Sequence, residues 1–399
     1  MQSVILFDQS NVQQQLLPLT YIRPISELRI GILTMKEKWE KRLETTVSFK
    51  TATYLSEKYT VNYSAENLLI NASVVANDAI TNEIKQLQLN EALVKDEVII
   101  AARMSQNEAE QFTGRLTSVF KSISTKSEFI LVTRPWHIFQ HNAQALQDDF
   151  DYLTKGRTSQ QLSTTNQVAG KENIFLEEGA KVEFSILNAT TGPIYIGKNA
   201  EIMEGCIVRG GLGMAENSVL KMGAKIYGAT TLGTYCKVGG EVNNSVLTGY
   251  SNKGHDGFLG NSVLGEWCNL GADTNNSNLK NNYQPVKLWD YTRKRFTPTG
   301  LQFCGLIAGD HSKSGINTMF NTGTVIGISS NVYGAGFPRN FIPSFSWGGS
   351  SFKTYRLDKA LETAEIMMAR RKISLTDTDI DIMKYVFEQT GTYRTWDKY

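Results

Sequence analysis

Of the four histidines in this 399-residue chain, His255 is the one best set for chemistry. It stands in Lys253-Gly254-His255-Asp256-Gly257-Phe258-Leu259-Gly260, where glycines on both sides let the backbone turn sharply. An imidazole can take a proton from an amine or hydroxyl while that group attacks a thioester carbonyl. The ordinary alternative is a histidine held in packing. His311, in Gly309-Asp310-His311-Ser312-Lys313, is the rival base, and Lys313 beside it suits a phosphate; its ordinary alternative is a corner histidine. His137 and His141 flank Trp136 and Phe139 and read as packing. In the N-terminal part, Arg23 and Arg29 are the cations to test for nucleotide binding, and they serve equally well as structural residues at a helix start.

These residues must be carried by something, and the stretch 196–238 says what. From Ile196 every sixth residue is apolar: Ile202, Val208, Met214, Leu220, Ile226, Leu232 and Val238 follow. Four residues after each comes a mostly small side chain, at Ala200, Cys206, Leu212, Ser218, Ala224, Thr230, Cys236 and Val242. A period of six is neither helix nor plain strand, whose patterns recur at 3.6 and 2. It marks a parallel β-helix of hexapeptide repeats, each hexad a short strand and a turn. The frame breaks after Val238. It returns shifted at Phe258, Leu264 and Leu270, and again at Phe320, Ile326 and Val332. A break in a repeat signals an inserted loop, and loops carry sites. The first break holds Asn243, Asn244, Lys253 and His255. The second, Asn275 to Phe303, reads as a hairpin with Arg293, Lys294 and Arg295 at its tip, for which a solvated turn is the simpler reading.

The rest of the chain divides around this repeat. Residues 1–155 alternate short apolar runs with helical patterns, among them a helix from Ile25 to Leu43, and predict an α/β domain with a mostly parallel sheet. Residues 156–170 are polar and read as a linker. Residues 171–350 form the β-helix, ended by Pro338 and Pro343. Residues 351–399 form a helical segment, with Leu357–Lys372 ending in Arg370, Arg371 and Lys372 beside a helix C-terminus. A net charge of +2 with 20% charged residues argues against disorder and a nucleic-acid surface. No apolar run approaches the ~20 residues of a membrane span. The N-terminus lacks a basic segment and cleavage site, so the expected location is cytoplasmic. Cys206, Cys236, Cys268 and Cys304 show no CxxC pairing, so no metal site is expected and packed, reduced thiols are.

Beginning at Lys253-Gly254-His255, and continuing through Leu259-Gly260, Leu264-Gly265, Asn269, Gly271-Ala272-Asp273-Thr274 and Asn278, the chain resembles the acetyltransferase half of the bifunctional N-acetylglucosamine-1-phosphate uridyltransferases. Over its full length it resembles the bacterial GlmU-like sugar nucleotidyl transferases. That likeness rests on Leu17-Pro18-Leu19-Thr20 through Arg23-Pro24, on Glu27-Leu28-Arg29-Ile30-Gly31, and on Gly309-Asp310-His311-Ser312-Lys313 with Asn317 to Thr324.

The resemblance implies a nucleotidyltransferase-like N-terminal domain and a left-handed β-helix. It implies a homotrimer with acetyl-CoA between subunits, and His255 as general base toward an amino sugar. Asn269 would then contact the acceptor sugar, Ala272 and Asn278 the cofactor, with His311 and Lys313 beside it. Asn243 and Asn244 stand where the family carries phosphate-binding lysines, and Phe258 where it carries a tyrosine. After the first strand, Asp8 to Gln15 contains no glycine to cradle a triphosphate, and Val98-Ile99-Ile100 runs into Ala101-Ala102-Arg103 with no metal-binding Asp. Mg²⁺ is therefore expected only if that domain is active. Three readings follow: an acetyl-CoA-dependent acyltransferase acting on an amino sugar or its phosphate; a sugar-1-phosphate nucleotidyltransferase whose β-helix is a trimerisation scaffold; and a non-catalytic sensor of nucleotide sugars.

Overall fold

A computed structural model describes residues 3–398. The chain forms two compact units. One comprises the chain to Leu16, Arg23–Leu28 and Leu33–Arg134; the other comprises Leu17–Ile22, Arg29–Ile32 and everything from Pro135 onward.

The first unit is built on a six-stranded sheet of β1 (Ser3–Phe7), β2 (Ser48–Lys50), β3 (Glu66–Asn71), β4 (Glu91–Lys95), β5 (Val98–Ser105) and β6 (Lys121–Ser124), in the order β2-β1-β3-β5-β4-β6. Pairings β1–β2, β1–β3 and β4–β6 are parallel, whereas β5 runs antiparallel to both β3 and β4. Ile5, Phe7, Leu69, Ala92, Ala102 and Met104 form its core with Phe112. Apolar residues on successive positions of β1 and β3 fit a sheet buried on both faces.

The helix expected from Ile25 to Leu43 is broken. Only Ile25–Glu27, a 3₁₀ turn, and Met35–Leu43 are helical. Between them Gly31 takes φ +72°, and its amide donates to Asn142 Oδ1 (2.7 Å) while that of Ile32 donates to Asp149 Oδ2 (2.8 Å). Side chains thus receive the N–H groups a helix would have used, and a Cβ at Gly31 would lie 2.6 Å from the Ala145 carbonyl oxygen. The second helix starts afresh at Met35 behind a Thr34–Glu37 capping box.

The second unit is a left-handed parallel β-solenoid of about ten turns with helices C-terminal to it. Its three faces are sheets of six, nine and ten strands, parallel throughout except for the last strand of the ten, Phe352–Thr354, which runs antiparallel to Ser346–Gly348. The hexad residues fill its interior: Ile196, Ile202, Val208, Met214, Leu220, Ile226, Leu232 and Val238 are all buried in one cluster. Successive coils stack them in columns, such as Ile202, Leu220 and Val238. The shifted frame is corrected at one point. Leu259, not Phe258, continues the inward column above Val242, because Phe258 pairs with the outward-facing Glu241. The prolines do not end the coil either: strands Phe341–Ile342 and Ser346–Gly348 add to two faces beyond Pro338. The stretch 156–170 is tied to the solenoid, with Gln160 bonded to Leu176 and Ala180 and strand Gln167–Ala169 opening one sheet. Helices Leu357–Ala369 and Asp377–Thr390 follow, the latter behind a Thr376–Asp379 capping box. All four cysteines are free and buried. Among the described residues no helix is long and apolar enough to cross a membrane.

Candidate functional site

The ten-stranded face carries the site. Its outward positions stack in register, so that Lys237, Asn252, Asn269 and Lys313 lie on four successive rungs. Parallel neighbours lie ~4.8 Å apart, which makes a polar strip of roughly 15 Å. A groove of about 720 Å³ runs along it, bordered also by Lys221, His255, Ala272, Tyr250, Trp267, and Met367, Arg370 and Arg371 from the helix end. Five cations border this groove, and no carboxylate does among the described residues. A water-filled cleft lined by one sign of charge concentrates ligands of the other sign.

Lys253 explains how His255 is presented. It occupies the interior position directly above Val238, in a column otherwise filled by aliphatic residues at this level. Its side chain is 1% exposed, and its ammonium donates to the carbonyls of Gly239 (3.0 Å) and His255 (2.8 Å). Burial draws its pKa down to about 8, although Asp256 and Asp273 pull the other way. The lysine therefore anchors the turn from below while the imidazole of His255 is exposed in the groove. On the next coil the Asp273 amide donates to the Asp256 carbonyl (3.0 Å), holding the far side of the same turn.

Tyr250 and Trp267, which border the groove, belong to an aromatic ladder. Tyr235, Tyr250, Trp267 and His311 occupy equivalent corners, each in the left-handed region (φ 52–61°). Their rings stack at 5.7, 4.3 and 6.2 Å. Bulky residues seldom adopt positive φ, and here stacking offsets the strain. The Arg371 guanidinium lies 5.2 Å from the Tyr235 ring, which fixes the helix end against the ladder.

The site residues expected from sequence separate accordingly. His255, Asn269, Ala272 and Lys313 are brought together on the groove. Lys253 lies beneath it. His311 is buried at the end of the ladder and does not border the groove; its carbonyl accepts from Lys313 Nζ (2.9 Å), whose pKa burial also lowers to about 8. Asn243 and Asn244 lie on the six-stranded face, at a strand end and a corner with φ 45°. Asn278 donates to Asn261 Oδ1 (2.8 Å). In the first unit Arg23 is buried. Arg29 is buried in the second, donating to the carbonyls of Thr248 (3.1 Å) and Ile32. Sequence reasoning passed over Lys221, Lys237, Arg370 and Arg371 as groove residues. Only Lys237 stands on the outward column, as the rung partner of Val219; Lys221 follows the strand Val219–Leu220, and Arg370 and Arg371 follow the helix Leu357–Ala369, so the linear text does not bring the four together. The basic hairpin tip forms as expected, its turn capped by Asp290 and exposed.

Mg²⁺ needs several hard oxygen ligands. Among the described residues no three His, Cys, Asp or Glu side chains are grouped to hold a metal, and β5 carries no carboxylate along Val98–Ser105.

The family model of sugar nucleotidyl transferases matches residues 4–158, in line with the resemblance read there. Among curated proteins none matches the sequence. Among solved structures, the polysialic-acid-specific acetyltransferase NeuO aligns at 13% identity, covering 53% of this chain and 99% of its own, with a TM-score of 0.28. A UDP-N-acetylglucosamine acyltransferase aligns at 12% identity, covering 53% and 79%, with a TM-score of 0.20. The Arabidopsis UDP-N-acetylglucosamine acyltransferase aligns at 11%, covering 53% and 80%, also at 0.20. At these scores the likenesses say nothing of substrate or reaction.

Proposed function

We propose that the solenoid unit is an acyl-CoA-dependent acyltransferase acting on a sugar amine or hydroxyl, with His255 as general base. One observation carries this reading: an exposed imidazole, braced from below by a buried lysine, stands in a groove bordered by five cations and no carboxylate. Coenzyme A brings phosphates that such a groove would hold, Lys221, Lys237, Lys313, Arg370 and Arg371 being the candidates. The acyl carbonyl would then lie beside His255. The acceptor's nucleophile gives its proton to His255 Nε2 or Nδ1 as it bonds to the carbonyl carbon, and the thiolate departs with the electron pair of the C–S bond. Asn269, one rung above Asn252, would orient the acceptor. Holding both reactants in register supplies a large share of such catalysis. Acetyl-CoA is the donor we favour. A homotrimer would bring the six-stranded face of one subunit, with Asn243 and Asn244, and Asn278 bonded to Asn261 beside it, toward a neighbour's groove.

A second reading rests on the match over residues 4–158, most of which lie in the first unit: this N-terminal region binds a sugar nucleotide. Titration with UTP or dTTP would reveal it, and a flat response would remove it.

The acyltransferase reading is tested by calorimetric titration with CoA. Lys237→Glu should weaken binding about tenfold or more, the scale of one charge-assisted hydrogen bond lost. Equal affinity in the variant would contradict the groove as the cofactor site.

A further inference from the structure

The second unit has another cavity, of about 740 Å³, whose lining shares no residue with the His255 groove. Three segments distant in sequence build it. The hairpin Lys287–Asp290 and Arg295–Pro298 supplies Trp289 and Phe296, which face each other across the strands. Strand Phe341–Ile342 supplies Phe341, outward because Ile342 points into the core. The 3₁₀ turn Gly391–Tyr393, after the last long helix, supplies Tyr393. Trp289 stacks on Phe341 at 4.1 Å, with Phe296 edge-on to Trp289 (5.4 Å) and Tyr393 edge-on to Phe341 (5.6 Å). The hairpin is not a loose flap, since Val286, Leu288, Tyr291 and Thr297 are buried beneath it.

Three cations stand around these rings: Lys280, Lys287 and Arg339. None forms an ion pair among the described residues, and no carboxylate borders the cavity. Lys280 Nζ donates only to the Pro285 carbonyl (3.0 Å), and the Arg339 guanidinium lies 5.8 Å from the Phe352 ring. An aromatic cage for an organic cation would not be ringed by three like charges. Aromatic faces with uncompensated cations suit a planar group bearing phosphate, as bases stack on such rings and phosphates pair with Lys and Arg.

We propose that this cavity is a second binding site, for a nucleoside phosphate, with the base against the Trp289–Phe341–Phe296 rings and the phosphate at Lys287 and Arg339. The same chemistry arrives as a free or sugar-linked nucleotide or as the nucleotide portion of coenzyme A. The experiment is calorimetric titration of the full chain with ADP, UDP and CoA, before and after Lys287→Glu with Arg339→Glu; both residues are exposed, and circular dichroism checks the fold. ADP or UDP should bind, and the double variant should weaken that binding about tenfold or more. If CoA alone loses affinity, the site serves the cofactor's nucleotide. Phe296→Ala, on a ring 41% exposed, gives an independent variant and should also weaken the same ligand. Absence of binding by all three probes at millimolar concentration overturns the proposal, as does binding that survives both the charge reversal and Phe296→Ala.

Discussion

Lys253 and His255 form one device, two residues apart, with opposite fates. The lysine replaces an aliphatic residue inside the coil, where an ammonium is costly unless its hydrogen bonds are met. Two carbonyls meet them, one belonging to His255 itself. The arrangement has a pH signature. Lys253 has a folded-state pKa of about 8 against an ordinary value of 10.5. Between these values the unfolded chain binds more protons than the folded one. Stability therefore rises with pH across that window, by up to about 1.4 kcal/mol per pH unit from this group, and is lost again as pH falls through 8. Urea unfolding of the wild type at pH 7.5 and 9 should show the rise, and Lys253→Met should show a smaller one. In acyl-transfer assays Lys253→Met should lose about tenfold or more in kcat with the fold intact, because the turn beneath His255 is released. An unchanged kcat would mean that the lysine fills space and positions nothing.

At the scale of elements, the coil is a set of columns, and each column has its own task. The inward columns hold the fold together. Leu220, buried between Ile202 and Val238, should cost about 2–5 kcal/mol when cut to alanine, read as a drop in the urea midpoint; a cost within 0.5 kcal/mol would mean that the column does not bear on stability. The outward column of the ten-stranded face carries the polar strip, and the corner column carries the aromatic ladder. The hexad period made the inward columns legible because aliphatic side chains recur there without interruption from Ile196 to Val238. The outward strip was not legible. Lys237, Asn252, Asn269 and Lys313 are neighbours in space but lie 15, 17 and 44 residues apart in the chain, since loops of different length separate the rungs. Lys253 was misleading for the same physical reason: a lysine at an interior position breaks the apolar pattern and reads as a loop residue. Phe258 erred the other way, an aromatic that fits the frame by type but faces outward. The Ile25–Leu43 segment failed because Asn142 and Asp149, more than a hundred residues away, take the amides of Gly31 and Ile32.

At the scale of the molecule, residues 4–158 match the sugar nucleotidyl transferase family model, and the solenoid carries a groove bordered by five cations and an imidazole. The most direct test is thiol release from acetyl-CoA, measured across a panel of amino sugars and their phosphates, with protein whose sedimentation mass is three times 44.5 kDa. The account predicts free CoA with at least one acceptor, and a loss of about a hundredfold or more in rate for His255→Ala, on the scale of general-base catalysis, with CoA affinity unchanged. No thiol release with any acceptor, or an undiminished rate in His255→Ala, would contradict it.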